Sequence, residues 1–192
     1  MKTRSFNDVL KRLALLTGDY KELDDSELAE ISDWASLLAA RVCELWEDWE
    51  WNELCDIAEQ NLEGEDTGYK YFSVPDGKMF LRAYGADPRK CDIPLPELRV
   101  RQFGDKIRVP SGCKDSVWVY WQDCAPDFSA ASKPEIPAFL EDAAVELAYS
   151  DILAQNGQLA KSQVRRNIGY AARDRQMERQ LRTRDKTMRI AK

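Results

Sequence analysis

The chain has 192 residues, enough for one domain or for a core carrying one sizeable insertion, and enough to bury a core without disulfide or metal. With 44% hydrophobic and 10% aromatic residues it is not a disordered chain, and no apolar run approaches the ~18 residues of a membrane span. Its formal net charge is −6 and it contains no histidine, which excludes Ser-His and Cys-His nucleophile pairs, His-ligated zinc and an imidazole acid–base shuttle.

The first residues lead into an amphipathic segment rather than an apolar stretch, which predicts no secretory signal. Phe6, Val9, Leu10, Leu13 and Leu16 recur at helical spacing, and Gly18 is a natural stop. Asp24 or Asp25 can then cap a second helix with the stripe Leu28, Ile31, Ala35, Leu38, Val42, Leu45, Trp49. At 1.5 Å per residue that helix is about 35–40 Å long, and Trp34, Leu37 and Trp46 widen its apolar face.

From Tyr69 the pattern turns β-prone. Tyr69–Val74 and Met79–Tyr84 read as strands around the turn sequence Pro75-Asp76-Gly77. Leu98–Gln102 and Lys106–Val109 flank Gly104-Asp105 and read as a hairpin, with arginines alternating against apolar residues. Ser116–Trp121 is the strongest strand, so residues 67–126 are expected to form an antiparallel β domain of four or five strands.

Helical spacing returns after Pro126. Pro134 and Pro137 suit the first turn of a helix running to about Gln155, with Leu140, Ala143, Ala144, Leu147 and Ala148 inward. Asn156-Gly157 is a stop and turn that predicts an antiparallel return through Leu159, Ala160, Val164, Ile168, Ala171 and Ala172. The expected organisation is therefore α+β: N-terminal helices in 1–66, the β domain in 67–126, C-terminal helices in 127–172 and a basic extension in 173–192.

Charge is unevenly spread along this plan. Residues 19–66 carry two basic and seventeen acidic residues, whereas 158–192 carry eleven basic and three acidic. An acidic front and a basic tail can attract each other between subunits, or the tail can seek an anionic partner. In the tail, Met177 and Leu181 stand four apart as a short apolar strip among Arg173, Arg175, Arg179, Arg182 and Arg184. That set is the expected partner-binding segment, because arginine forks pair well with carboxylates.

Other candidates have plainer readings. The five cysteines are odd in number and lack any Cys-x-x-Cys, so they read as free thiols. Glu44, Glu47, Asp48, Glu50 and Glu53 read as a solvated acidic face, and Trp46, Trp49 and Trp51 as packing residues at a helix end. There is no Gly-x-Gly-x-x-Gly and no Gly-Lys-Ser/Thr, so no phosphate loop, no cofactor and no metal site is expected.

The order of elements carries a resemblance. A helical pair ends in Leu45-Trp46-Glu47-Asp48-Trp49-Glu50-Trp51, and a β insertion follows with Ala83-Tyr84-Gly85-Ala86-Asp87-Pro88-Arg89. A strand then runs into a proline (Val117 to Pro126), and an Ala-rich helix turns through Leu153–Gln158 into a charged one. From about residue 6 to residue 182 this resembles the head-to-tail adaptor (connector, head-completion) proteins of tailed bacteriophages, related to the gatekeeper or tail tubular proteins of short-tailed phages. The resemblance implies a non-enzymatic virion protein of the phage neck, assembled in the bacterial cytoplasm. It implies a homo-oligomeric ring of about twelve subunits between the portal protein and a tail, stopper or nozzle protein. It further implies a helical bundle built from both chain ends around an inserted β domain. The carboxy-terminal segment would attach to the portal, and DNA would pass through the lumen without specific binding.

Two other classes stay open at this level. A cytosolic nucleic-acid-binding protein would use Arg165, Arg166, Arg173, Arg175, Arg179, Arg182 and Arg184. A carboxylate-only enzyme would use Glu47 and Asp48.

Overall fold

The computed structural model of the chain describes residues 2–18, 31–66, 68–128 and 134–190, the side chains of 65, 66 and 183–190 excepted. It is α+β, with four helices and three antiparallel sheets among the described residues. The chain divides into two compact units, one of Met1–Trp49 with Ala125–Arg184, the other of Glu50–Cys124 with Asp185–Lys192.

In the helical unit, α1 spans Phe6–Thr17. The Ser5 side chain accepts a hydrogen bond from the Asp8 N–H at 3.1 Å, and Gly18 closes the helix at φ 97°, a conformation that glycine adopts without steric cost. The second helix, α2, is Ser32–Glu47, and the expected cap at Asp24 or Asp25 and the stripe residue Leu28 lie outside the described residues. Next come α3, Ala138–Gln155, and α4, Leu159–Ile190. Nine of the eighteen α3 residues are buried, on all sides of the helix, as a central helix requires. Its neighbours are α1, α2 and α4. Arg12 of α1 reaches Glu141 and Asp142 at 2.7 Å each. Arg41 of α2 and Arg166 of α4 share Asp151 at 2.6 and 3.5 Å. The Ser150 hydroxyl donates to the Ser162 carbonyl at 3.0 Å, and Leu147 lies against Gly169, so α4 runs back along α3 as the Asn156-Gly157 turn predicts.

The prolines occupy different places from those expected. Pro134 precedes the short strand β9, Glu135–Pro137, and Pro137 is the residue before α3 rather than part of its first turn. Strand β9 pairs antiparallel with β1, Thr3–Ser5, which ties the residues leading into α1 to those leading into α3.

Among the described residues, 67–126 hold five strands, as expected, and the β unit has two more before them: β2 (Cys55–Asn61), β3 (Glu63–Asp66), β4 (Tyr69–Ser73), β5 (Lys78–Tyr84), β6 (Arg101–Phe103), β7 (Lys106–Pro110) and β8 (Ser116–Asp123). Residues 55–66, grouped with the helices from sequence, are thus strands. The sequence Cys55–Asn61 shows little apolar alternation, and β2 is ordered by backbone pairing along β8. Strands β4 and β5 flank a turn but do not pair. The orders are β2-β8-β5 and β3-β4-β7-β6, so Pro75-Asp76-Gly77 passes the chain from one sheet to the other. The expected hairpin is present, with Phe103 opposite Lys106 across a two-residue turn and Gly104 at φ 61°. Phe72, Ile107 and Val109 of the four-stranded sheet and Ala83, Val117, Val119 and Trp121 of the three-stranded sheet form one buried cluster. Trp121 meets Phe72 and Phe80 edge to face at 5.9 and 6.0 Å.

Candidate functional site

Among the described residues no three metal-ligating side chains converge, and no helix is long and apolar enough to cross a membrane. The helical unit carries two unlike exposed faces.

The first is the outward face of α4. Ser162, Gly169, Ala172 and Gln180 turn inward, and Ser162, Ala172 and Gln180 are buried. On the opposite side Ala160, Val164, Ile168 and Ala171 recur at intervals of three to four and stay exposed, Val164 at 59% and Ile168 at 40%. Leu159, at the start of the helix, is 70% exposed. Further along the same side the stripe changes from apolar to basic, at Arg175 and Arg182. Large apolar side chains in such a row are unusual on a surface that meets only water.

The second is the outward face of α2. Asp33, Glu44 and Glu47 are exposed on one side of that helix, with Ala40 between them. Glu44 is paired with Arg41 of its own helix. The Asp151 carboxylate grips the Arg41 guanidinium from the other side and raises its proton affinity further, so this arginine is a fixed cation.

The sequence-derived partner-binding residues separate on this framework. Arg173 is taken up within its own chain, 2.8 Å from Asp48, 2.9 Å from Asp174, and stacked 4.9 Å over the Tyr170 ring. Arg175 is exposed. Met177 is half-buried and Leu181 is 45% exposed, so only one of the two presents a free apolar side chain. Arg179 is exposed but has a partner within the chain, and Arg182 lies 3.7 Å from Glu178. The side chain of Arg184 lies outside the described residues. Helix α4 passes residue 173 without a break, so the basic segment is the continuation of a packed helix rather than a separate tail.

Of the remaining arginines, Arg165 pairs with Glu146 at 3.2 Å and stacks over Tyr149, and Arg166 is held by Asp151. Asp48 is bound to Arg173, so Glu47 and Asp48 do not stand as a free carboxylate pair. The cysteines are free thiols. Burial pushes Cys55 up to about 11, and its Sγ–H donates to Gln122 Oε1 at 3.6 Å, which leaves it a protonated and unreactive group.

The chain matches no protein-family model and no curated protein.

Within residues 87–98, which show no recognisable sequence pattern, Asp87 to Lys90 form a local structure in the β unit. Asp87 caps the 3-10 turn Pro88–Lys90 and holds Arg89 through both carboxylate oxygens at 2.9 and 3.0 Å. Arg89 and Lys90 then sit over the Trp118 ring at 5.1 and 6.0 Å. The signal was present as Asp-Pro-Arg, an Asx-type cap before a proline.

Proposed function

We propose that this chain is a non-enzymatic subunit of a head-to-tail adaptor ring in a phage neck, assembled with about twelve copies between portal and tail. The observation that carries the reading is the pair of unlike faces on one helical unit. The face on α4 is apolar and then basic, and the face on α2 is acidic. Two different complementary faces make a head-to-tail contact between copies, and such contacts generate closed rings when the rotation closes. A twofold dimer would instead need one self-complementary patch.

The finer arrangement belongs to the same proposal: a bundle of helices from both chain ends, with the β domain inserted and DNA passing through the lumen without specific binding. Its support is the division of the chain into a unit from residues 1–49 with 125–184 and one centred on 50–124. In this reading Arg175 and Arg182 are the basic residues of α4 that reach the portal or the next copy, while Arg173 serves its own subunit.

The test is Val164→Asp with Ile168→Asp. Both side chains are exposed, so circular dichroism and melting of the monomer should be unchanged. Assembly on the portal, followed by sedimentation, should be lost. Unimpaired assembly of this double variant would remove the α4 face from the proposal.

A further inference from the structure

Each of the two sheets in the β unit ends in two edge strands, and these edges are not alike. Strand β5 is interrupted by a register shift between Phe80 and Arg82, and its end is covered. Tyr84 bridges Glu97 there, and the Leu98 N–H donates to the Ala83 carbonyl at 2.8 Å. Strand β3 is short and carries a register shift of its own between Glu63 and Asp66. Bulges and covering segments are the usual means of stopping an edge from pairing further. Strand β2 has neither. It runs seven residues, Cys55–Asn61, in unbroken register along β8, and it holds no proline, lysine or arginine. Strand β6 is shorter, and among the described residues it pairs only with β7.

The ladders fix which backbone groups these two edges leave over. The Leu54 carbonyl accepts from the Asp123 N–H at 2.9 Å, and the Leu62 N–H donates to the Asp115 carbonyl at 2.8 Å, so the even-numbered residues of β2 bond to β8. Cys55, Ile57, Glu59 and Asn61 therefore turn their N–H and C=O groups outward, and among the described residues nothing meets them. In β6, Phe103 closes the two-residue turn with Lys106, so Arg101 and Phe103 bond to β7 while Val100 and Gln102 face outward. The two edges are opposite in charge. On β2, Asp56 shares Lys78 with Asp123, and Glu59 accepts the Ser116 hydroxyl, which leaves its charge uncompensated. At β6, Arg99 and Arg101 are exposed, and among the described residues neither meets a carboxylate.

We propose that β2 of one copy pairs antiparallel with residues 100–103 of a second copy, extending the three-stranded sheet across the contact. An antiparallel ladder opposes outward-facing residues to outward-facing residues, which restricts the register. Setting Ile57 opposite Val100 and Cys55 opposite Gln102 meets that rule. It brings two half-buried apolar side chains together and places Asp56 directly against Arg101. Pairing of β2 with its own copy about a twofold axis would bring only acidic charges to the contact, which the unlike edges avoid. The contact is head to tail, as the adaptor reading requires, but it lies in the β unit and its test uses no portal, so the two stand or fall separately.

The experiment is disulfide cross-linking between two single variants of the full chain, Asp56→Cys and Arg101→Cys. Both carry Cys124→Ser, because Cys124 is an exposed native thiol. Facing positions that exchange no backbone bonds hold their Cβ atoms about 4.5–5.5 Å apart, close enough for a disulfide after small adjustment. With oxidised glutathione, at low salt and high protein concentration, the mixture should give a linked pair that neither variant gives alone. Adding Gln102→Pro to the Arg101→Cys chain removes an outward N–H that makes no backbone bond within the chain. It should lower the linked yield roughly tenfold with melting unchanged, since Gln102 is exposed. Should Gln102→Pro alter melting, sedimentation carries the same test: Asp56→Arg should weaken association, and mixing it with Arg101→Asp should restore it. Three results overturn the proposal. These are no linking in the mixture beyond that of each variant alone, equal linking of Asp56→Cys to itself, or undiminished linking by a folded Gln102→Pro chain. Linking of Asp56→Cys to itself would assign the β2 edge to a twofold contact instead.

Discussion

Gly169→Ala sets two effects of known sign against each other. Gly169 lies inside α4, where alanine normally stabilises by about 1 kcal/mol because glycine loses more backbone freedom on folding. Here a Cβ would meet Leu147 Cγ at 2.8 Å and Cδ2 at 2.9 Å, and the Leu147 backbone nitrogen at 3.3 Å. Leu147 is fully buried in α3, so its side chain has no room to swing away, and the backbone contact persists in any rotamer. Overpacking of this kind costs about 1–3 kcal/mol, which exceeds the helix gain. A net loss of about 1 kcal/mol is expected, a fall in melting temperature of roughly 2–4 °C for a chain of this size. The control is the same change in a Leu147→Ala background. With Leu147 Cγ and Cδ2 gone, Gly169→Ala should turn stabilising by several tenths of a kcal/mol, although Leu147→Ala itself costs about 2–5 kcal/mol. Urea denaturation of the four proteins reads the cycle. Stabilisation by Gly169→Ala in the native background would refute the close approach of α4 to α3, and with it the assignment of Val164 and Ile168 to the outward face.

Two further perturbations probe the β unit. The Trp121 Nε1–H is buried and has no acceptor among the described residues, so Trp121→Phe removes an unsatisfied donor along with some volume; denaturation should show a loss below about 2 kcal/mol, against about 3–5 for Trp121→Ala. The Arg89 guanidinium holds the Asp87 carboxyl below the ordinary carboxylate range, so this stabilisation is present above the unfolded value of about 4 and is lost as pH falls below it. Asp87→Asn should therefore make stability less sensitive to acid below about pH 4, measured by melting across a pH series.

Local signals in the sequence reached some of this and missed the rest for identifiable reasons. Helix α1 was legible because its apolar stripe and its Gly18 stop lie in one short segment, whereas the Ser5 cap was found only in the structure. Strand β8 was legible as an unbroken run of β-branched and aromatic residues from Val117 to Trp121, of which Val117, Val119 and Trp121 are buried. Strand β2 was not, because Cys55–Asn61 has few apolar residues and takes its conformation from the β8 backbone. The pairing of β4 with β7 was equally hidden, since a turn sequence says that the chain bends and not which strand it meets. At the candidate surfaces the basic character of 158–192 was plain, but which arginines are spoken for was not. Arg173 meets Asp48 across 125 positions of sequence, and only the packing of α4 separates it from Arg175.

The central claim is that copies of this chain join head to tail into a ring at the portal. Its most direct measurement is the mass and symmetry of the purified chain, alone and mixed with the portal protein of the same phage, by native mass spectrometry and negative-stain imaging. The adaptor reading predicts a monomer at low concentration and a complex of cyclic symmetry, with about twelve copies, once the portal is present. A stable twofold dimer with no affinity for the portal would contradict it.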